Sequence, residues 1–320
     1  MSRHADEQGL HTLQEIQAWL AAEQATQRLA VAPIPFASLD QWDFGGAPLH
    51  LAHRSGRFFT IEGLHVATDA GPVAAWDQPI IHQPEIGVLG ILTTVFDGAR
   101  HYLMQAKVEP GNINGVQLSP TVQATFSNYS RVHRGASTLF LDQFLAPARG
   151  GVLIDHLQGE QGSRFLRKRN RNMVVELPAA QARQLPHNDR FRWMTLHQIK
   201  QLLRQDNLVN MDARSVLACI PTGYGQGHLE SAAPHDFSFF DDSVMPSARP
   251  PRRQVSRHTT DEIIHWLTDL RSRHHLHLEP RALDQLEDWV FDDHSIHHAS
   301  GNIFAVIAVA VETTVREVPD

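Results

Sequence analysis

Residues 105–135 read QAKVEPGNINGVQLSPTVQATFSNYSRVHRG. Lys107 and Glu109 stand two positions apart in a stretch that is otherwise short of charge. On an extended strand two such positions share a face. An ammonium beside a carboxylate there is either a plain ion pair or an acid–base couple whose proton affinities are set by each other and by burial. Around them lie Asn112, Asn114, Gln117, Ser119, Thr121, Gln123, Thr125, Ser127, Asn128 and Tyr129. The alternation of polar residues from 117 to 125 suits a solvated face with turns and caps. It equally suits a pocket for a neutral, hydroxyl-covered ligand, and the low charge favours the pocket, since a solvated face usually recruits Lys and Glu. Amides and hydroxyls match sugar hydroxyls and a nucleobase edge, where each unmade hydrogen bond is costly.

A second cluster, Arg167-Lys168-Arg169-Asn170-Arg171, offers cations for a pyrophosphate through charge-assisted hydrogen bonds, or else a solvated basic strand. Nucleic acid is a poor partner for it, because the net charge is −7 and the cluster is short. Other chemistries lack their signatures. The histidines in DDHSIHH (292–298) and RHHLH (273–277) match no metal-ligand spacing, so no metal is expected. No G-x-S-x-G elbow, Walker A loop, paired-glutamate Nudix box or strand-following G-x-G-x-x-G is present. Cys219 is the single cysteine, so no intrachain disulfide is possible; it follows Val216 and Leu217 in an apolar run and reads as an inert core residue. A reducing cytoplasm fits this cysteine usage. The N-terminal residues lack an apolar signal segment, and no apolar run approaches the length of a membrane span.

The elements that must position these groups read as α+β. Residues 12–23 form an amphipathic helix, 57–67 a strand, and 86–95 with 100–108 a hairpin about Asp97-Gly98. Residues 120–131 read as a short helix capped by Ser119, with Pro120 at its first position. Residues 164–177 read as strand, loop, strand, and 195–205 and 212–220 as helices. Hairpins mixed with separate helices argue against a doubly wound sheet. The chain also repeats itself. EIQAWL at 15–20 recurs as EIIHWL at 262–267, and Trp19/Trp266, Pro33/Pro280 and Trp42/Trp289 all keep a shift of 247. The match resumes at a shift of 245 with SGRFFTIEGLHV (55–66) against SGNIFAVIAVAV (300–311). The expectation is one complete unit over 1–225, a Gly-, Pro- and Ser-rich linker over 226–260, and the start of a second unit over 261–320. The apolar strand 300–311 is expected to lack sheet partners within the chain, and so to promote dimerisation or poor solubility.

QAKVEPGN (105–112), QLSPTVQAT (117–125), SNY (127–129), VHRG (132–135), FLRKRNRNMVVE (165–176), FRWMTLHQIKQLL (191–203) and NLVNMDARSVL (207–217) resemble the NDP-hexose 2,3-dehydratases of deoxysugar and antibiotic-sugar biosynthesis, over nearly the whole chain. The resemblance implies two homologous Nudix-like halves without Nudix chemistry. It implies a dTDP-4-keto-6-deoxyglucose substrate, loss of its C2 hydroxyl as water, no cofactor, and a downstream 3-ketoreductase. On these motifs Glu109 or Lys107 is the base. Tyr129 is a proton donor, and His133 the alternative acid or base. Asn112, Gln117, Ser119, Thr121, Gln123 and Asn128 bind sugar or nucleobase, and Arg167, Lys168 and Arg169 bind the pyrophosphate. Trp76 or Trp193 stacks on thymine unless, like most tryptophans, it is core. The competing reading is a non-catalytic nucleotide-sugar-binding half of a split or shortened enzyme, its missing surfaces supplied by another chain or a homodimer. A nucleotide-sugar epimerase or hydrolase on the same scaffold is the third.

Overall fold

The computed structural model describes residues 9–27, 29–125, 138–148, 151–220 and 257–313. Helix α1 (Leu13–Thr26) starts at a capping box, in which the Thr12 hydroxyl accepts from the Glu15 amide at 3.2 Å and the Glu15 carboxylate accepts from the Thr12 amide at 2.7 Å. Strands β1 (Leu29–Ile34), β2 (Trp42–Gly45), β3 (His50–His53), β4 (Thr60–Thr68) and β5 (Ala75–His82) follow. Next come β6 (Gly87–Phe96), β7 (Ala99–Val108), β8 (Val116–Ser119), β9 (Val122–Ala124), α2 (Asp142–Leu145), β10 (Val152–Gly159) and β11 (Arg169–Glu176). Then α3 (Ala179–Ala182), β12 (Phe191–Thr195), α4 (Leu196–Leu202) and α5 (Met211–Ala218) lead to residues 221–256, outside the described part. The remainder is α6 (Thr260–Arg273), β13 (Leu276–Arg281), β14 (Trp289–Phe291), β15 (Ser295–His298) and β16 (Ala305–Thr313).

A mixed sheet ordered β10-β11-β6-β7-β12 forms the centre, and it forks. Near the β6–β7 turn the two strands pair with each other, Leu92–Phe96 against Ala99–Leu103. Beyond that, Val88–Gly90 of β6 take β9, and Gln105–Val108 of β7 take β8. Thr121 stands in the fork; its hydroxyl donates to the Leu103 carbonyl at 2.5 Å and accepts from the Leu92 amide at 2.9 Å. The turn at the closed end is the expected Asp97-Gly98, both at positive φ (49° and 83°), as a type I′ hairpin requires. The helix expected over 120–131 does not form, at least as far as residue 125: Pro120-Thr121 is the crossing from one arm of the fork to the other, and β9 follows. α1, α4 and α5 cover one face, burying Ile16, Trp19 and Leu20 with Leu89, Ile91, Met104, Leu118 and Val174. On the other face Phe144 of α2 packs with Leu92, Phe96 and Val175, over Gly90, where a β-carbon would collide with the Phe144 ring.

Two further sheets interlock. β4 carries β5 along one edge over Thr60–Ala67, while its other edge is divided between β3 and β13. β16 is divided between β15 and β1, Leu29–Ile34 running antiparallel to Ala308–Thr313. The positions that repeat at shifts of 247 and 245 are therefore exchanged: β1 pairs with β16, and β13 with β4. Local detail recurs as well. Thr259 and Glu262 form a capping box like that of Thr12 and Glu15. Trp42 meets His53 edge-on at 5.4 Å and Trp289 meets His298 at 5.5 Å. Gln41 and Asp288 share positive φ.

The expectation that strand 300–311 lacks partners is thus corrected: β1 and β15 both pair with β16. Among the described residues no strand occupies, beside β16, the place that β5 takes beside β4. Ile264, Trp266 and Leu267 of α6 are exposed, whereas Trp19 and Leu20, which align with the latter two, are buried.

Candidate active site

The fork opens between β8 on one arm and β9 on the other, and α5 closes its mouth. The start of α5 is tied to β8 by two backbone hydrogen bonds, Leu118 amide to Leu208 carbonyl and Asn210 amide to Leu118 carbonyl, each 2.8 Å. Asn210 caps the helix, its side-chain oxygen accepting from the Ala213 amide at 2.8 Å.

Lys107, at the end of β7, lies beside Glu109 with Nζ 3.1 Å from Oε1, each side chain about one-third exposed. Gln123 of β9 donates to the same Oε1 at 2.9 Å. Its own amide oxygen accepts from Ser119 Oγ at 3.0 Å and from Asn210 Nδ2 at 3.3 Å. Those two donors fix which way the Gln123 amide faces, so its NH₂ group must point at Glu109. No described hydrogen bond or ion pair engages Glu109 Oε2, which leaves that oxygen able to accept a proton. A pair this exposed contributes little to stability.

Asp212, in the first turn of α5, was not singled out by the sequence. Burial and the nearby carboxylates of Glu160 and Glu109 push its carboxyl up to about 6, against the pull of Lys107. Glu160 also accepts from Asn170 Nδ2 and, with Gly159, Gly162, Phe165, Arg167, Lys168 and Arg169, lines a hollow of about 400 Å³. Asp212 therefore feels the charges of both the Lys107–Glu109 pair and Glu160 at this basic-rimmed hollow. Asn172, two positions along β11 from Asn170, is fully buried, with neither amide atom hydrogen-bonded.

The structure brings together Lys107, Glu109, Ser119 and Gln123, while Arg167 and Arg169 are exposed at the hollow. It employs others in the fold. Thr121 is fully buried, and its hydroxyl is spent on the fork, so it is no ligand group. Asn112 closes the 109–115 turn by donating to the Lys107 and Gly115 carbonyls, and Gln117 donates to Asn114. Lys168 is buried with Nζ on the Glu85 carbonyl at 2.5 Å, and burial lowers its proton affinity. Its ammonium anchors the segment before β6. Trp193 packs edge-on against Phe96 on the far face of the sheet, and Trp76 lies on β5 with its indole donating to Gln78, so neither is at this cluster. Asn128, Tyr129 and His133 lie outside the described residues. Among those described, no group of acidic, histidine or cysteine side chains is arranged to hold a metal, and no helix is long and apolar enough to cross a membrane.

The class this defines is an α+β protein with a forked sheet, a carboxylate–ammonium pair at the fork and two exposed arginines at the hollow. The family model for NDP-hexose 2,3-dehydratase matches residues 13–220 and 260–320, and the chain belongs to that family. Three relatives, each named dTDP-4-dehydro-6-deoxy-alpha-D-glucopyranose 2,3-dehydratase, are similar along nearly all of it. The one from Saccharopolyspora spinosa is 44% identical over 97% of this chain and 62% of its own length. That from Amycolatopsis orientalis is 42% identical over 95% and 59%, and that from Streptomyces violaceoruber 43% over 99% and 66%. The chain thus spans about three fifths of the length of these relatives.

Proposed function

We propose that this chain is a hydro-lyase of deoxysugar biosynthesis, eliminating the C2 hydroxyl of dTDP-4-keto-6-deoxyglucose. The observation that supports this reading best is the Glu109 carboxylate, held through Oε1 by Lys107 and Gln123 while Oε2 is open. The C4 ketone acidifies the C3–H bond. Glu109 takes that proton, and the electron pair passes into an enolate on the C4 oxygen. Lys107, 3.1 Å from Oε1, orients Glu109, and its positive charge favours the developing enolate. The enolate then expels the C2 oxygen, which leaves as water, and the enol tautomerises to a 3,4-diketo sugar. Arg167 and Arg169 at the hollow hold the pyrophosphate. A 3-ketoreductase would consume the product.

The reading extends to the fold: a Nudix-like unit over 1–225, a linker over 226–260, and the opening of a second copy over 261–320, in a cytoplasmic protein that self-associates. Incubation with dTDP-4-keto-6-deoxyglucose, a 3-ketoreductase and NADPH tests it. A 2,6-dideoxy product by mass is the expected result. Binding of dTDP without product would turn the reading to a non-catalytic half. E109Q should lower turnover by about 10²-fold or more, with dTDP affinity within a few-fold. Loss of dTDP binding along with turnover would remove Glu109 as the base.

A further inference from the structure

Eliminating water needs two proton carriers, one for the C3 proton and one for the departing oxygen. Glu109 fills only the first role, and Lys107 is committed to Glu109. A candidate for the second must be fixed in place, lie within the same charge cluster and be able to hold a proton. Asp212 meets all three conditions. The N-terminal turn of α5 that carries it is pinned to β8 by the Leu118–Leu208 and Asn210–Leu118 backbone hydrogen bonds. That turn is linked to the base by an unbroken chain, Asn210 Nδ2 to Gln123 Oε1 at 3.3 Å and Gln123 Nε2 to Glu109 Oε1 at 2.9 Å. Asp212 has no described hydrogen bond to occupy its carboxyl. It is half-buried, with Glu160 and Glu109 the nearby anions. The floor of this region is unusual in its own right. Asn172, fully buried, lies on the same face of β11 as Val174, which packs in the core beneath α5, and both its amide atoms lack partners. A buried amide with neither donor nor acceptor satisfied is costly.

Resting on the dehydratase reading above, we propose that Asp212 is a second catalytic residue, the general acid that protonates the C2 hydroxyl as it leaves. The C4 oxygen re-forms its carbonyl, the C3=C4 electron pair moves to make the C2=C3 double bond, the C2–O bond breaks with its electron pair on oxygen, and the Asp212 carboxyl proton is transferred to that oxygen. Water departs, Asp212 is left ionised and Glu109 protonated. Proton exchange with solvent resets both. The two nearby carboxylates favour the protonated form of Asp212 before the step, which is the form an acid needs.

The roles separate experimentally, because C3 deprotonation precedes loss of the hydroxyl. In D₂O the wild-type chain should exchange the C3 hydrogen of the substrate and eliminate water. D212N should retain C3 exchange within about tenfold of wild type while elimination falls by at least about 10²-fold, and E109Q should lose both. A substrate with chloride in place of the C2 hydroxyl needs no acid, so D212N should eliminate chloride at nearly the wild-type rate. On the wild-type protein, kcat/KM for the hydroxyl substrate should fall toward high pH, with that limb missing for the chloride analogue. Affinity for dTDP, measured in parallel, reports an intact fold. Wild-type elimination rates in D212N, loss of C3 exchange in a D212N that still binds dTDP, or identical pH profiles for the two substrates would each overturn the acid role alone. A wild-type chain that binds dTDP but neither exchanges nor eliminates would overturn the dehydratase reading and the acid role with it.

Discussion

Replacing Asp212 with Asn should make the protein more stable at neutral pH. An ordinary aspartate titrates at 3.8, and in the fold burial, Glu160 and Glu109 push Asp212 to about 6. The folded state therefore holds this proton more tightly than the unfolded chain. The stabilisation from that tighter binding is fully present below the unfolded value and is lost as pH rises through the folded one. The difference of about two pH units at 1.36 kcal/mol each gives about 3 kcal/mol lost on passing from pH 3.8 to above pH 6. Asn carries no ionisable proton and escapes that loss. D212N should thus exceed wild type by up to about 3 kcal/mol at pH 8, or about 6 °C in Tm for a chain of this size. Below about pH 4 the two should converge. E160Q, by removing the carboxylate that contributes most after burial, should give a smaller gain at pH 8. Thermal melts of all three proteins from pH 4 to 8 test this. A D212N protein with unchanged or lower Tm at pH 8, or a gap independent of pH, would refute the picture of a carboxylate held against its charge.

Thr121→Val should cost about 2–4 kcal/mol in urea unfolding, since two buried backbone groups, the Leu103 carbonyl and Leu92 amide, lose their partner; Thr121→Ser should recover most of it. His101 is buried, with the Leu10 amide donating to Nε2 and Nδ1 facing the Ala99 carbonyl, and burial lowers its proton affinity. Below about pH 6.5 the unfolded chain gains a proton that the folded form resists, so stability should drop with pH there; NMR titration of His101 above its ordinary value would contradict this. The exposed Ile264, Trp266 and Leu267 on α6 should drive concentration-dependent self-association in sedimentation, reduced in W266E. A wild type that stays monomeric at high concentration would refute it.

The sequence made local geometry and the repeat legible, and left long-range placement dark. Asp97-Gly98 announced its turn because few residue pairs accept two positive φ angles. The helix over 12–23 was legible from its apolar spacing, while the Thr12 and Thr259 caps came to light only in the structure. The pairing of Lys107 with Glu109 was visible from their spacing alone. Pro120 misled, because a proline after a serine suits a helix start, while here the same pair crosses between the arms of a split sheet. That split depends on which strand Thr121 bridges, and no window of sequence around it reveals Leu92 and Leu103 as its partners. Asp212 was missed because an acidic residue in a first helical turn is ordinarily just a favourable dipole contact. Only the approach of Glu160 and Glu109, from two other strands' ends, makes it different. Lys168 sits among arginines in sequence, yet just before β11 it is turned inward to the Glu85 carbonyl.

The crossed pairing of β1 with β16 and of β13 with β4 also dictates an order of events during synthesis. When residue 220 has left the ribosome, the central forked sheet has all its strands and can fold. β1 and the Gly63–Thr68 edge of β4 must still wait, because their partners begin at residues 305 and 276. For that interval two strand edges on the nascent chain are bare, and each is a template for pairing with a neighbouring chain on the same message. Contacts so distant in sequence form slowly. The interval is therefore a window in which chaperone occupancy, or the rate of translation through residues 221–256, decides between the native clasp and an exchange of strands between two nascent molecules.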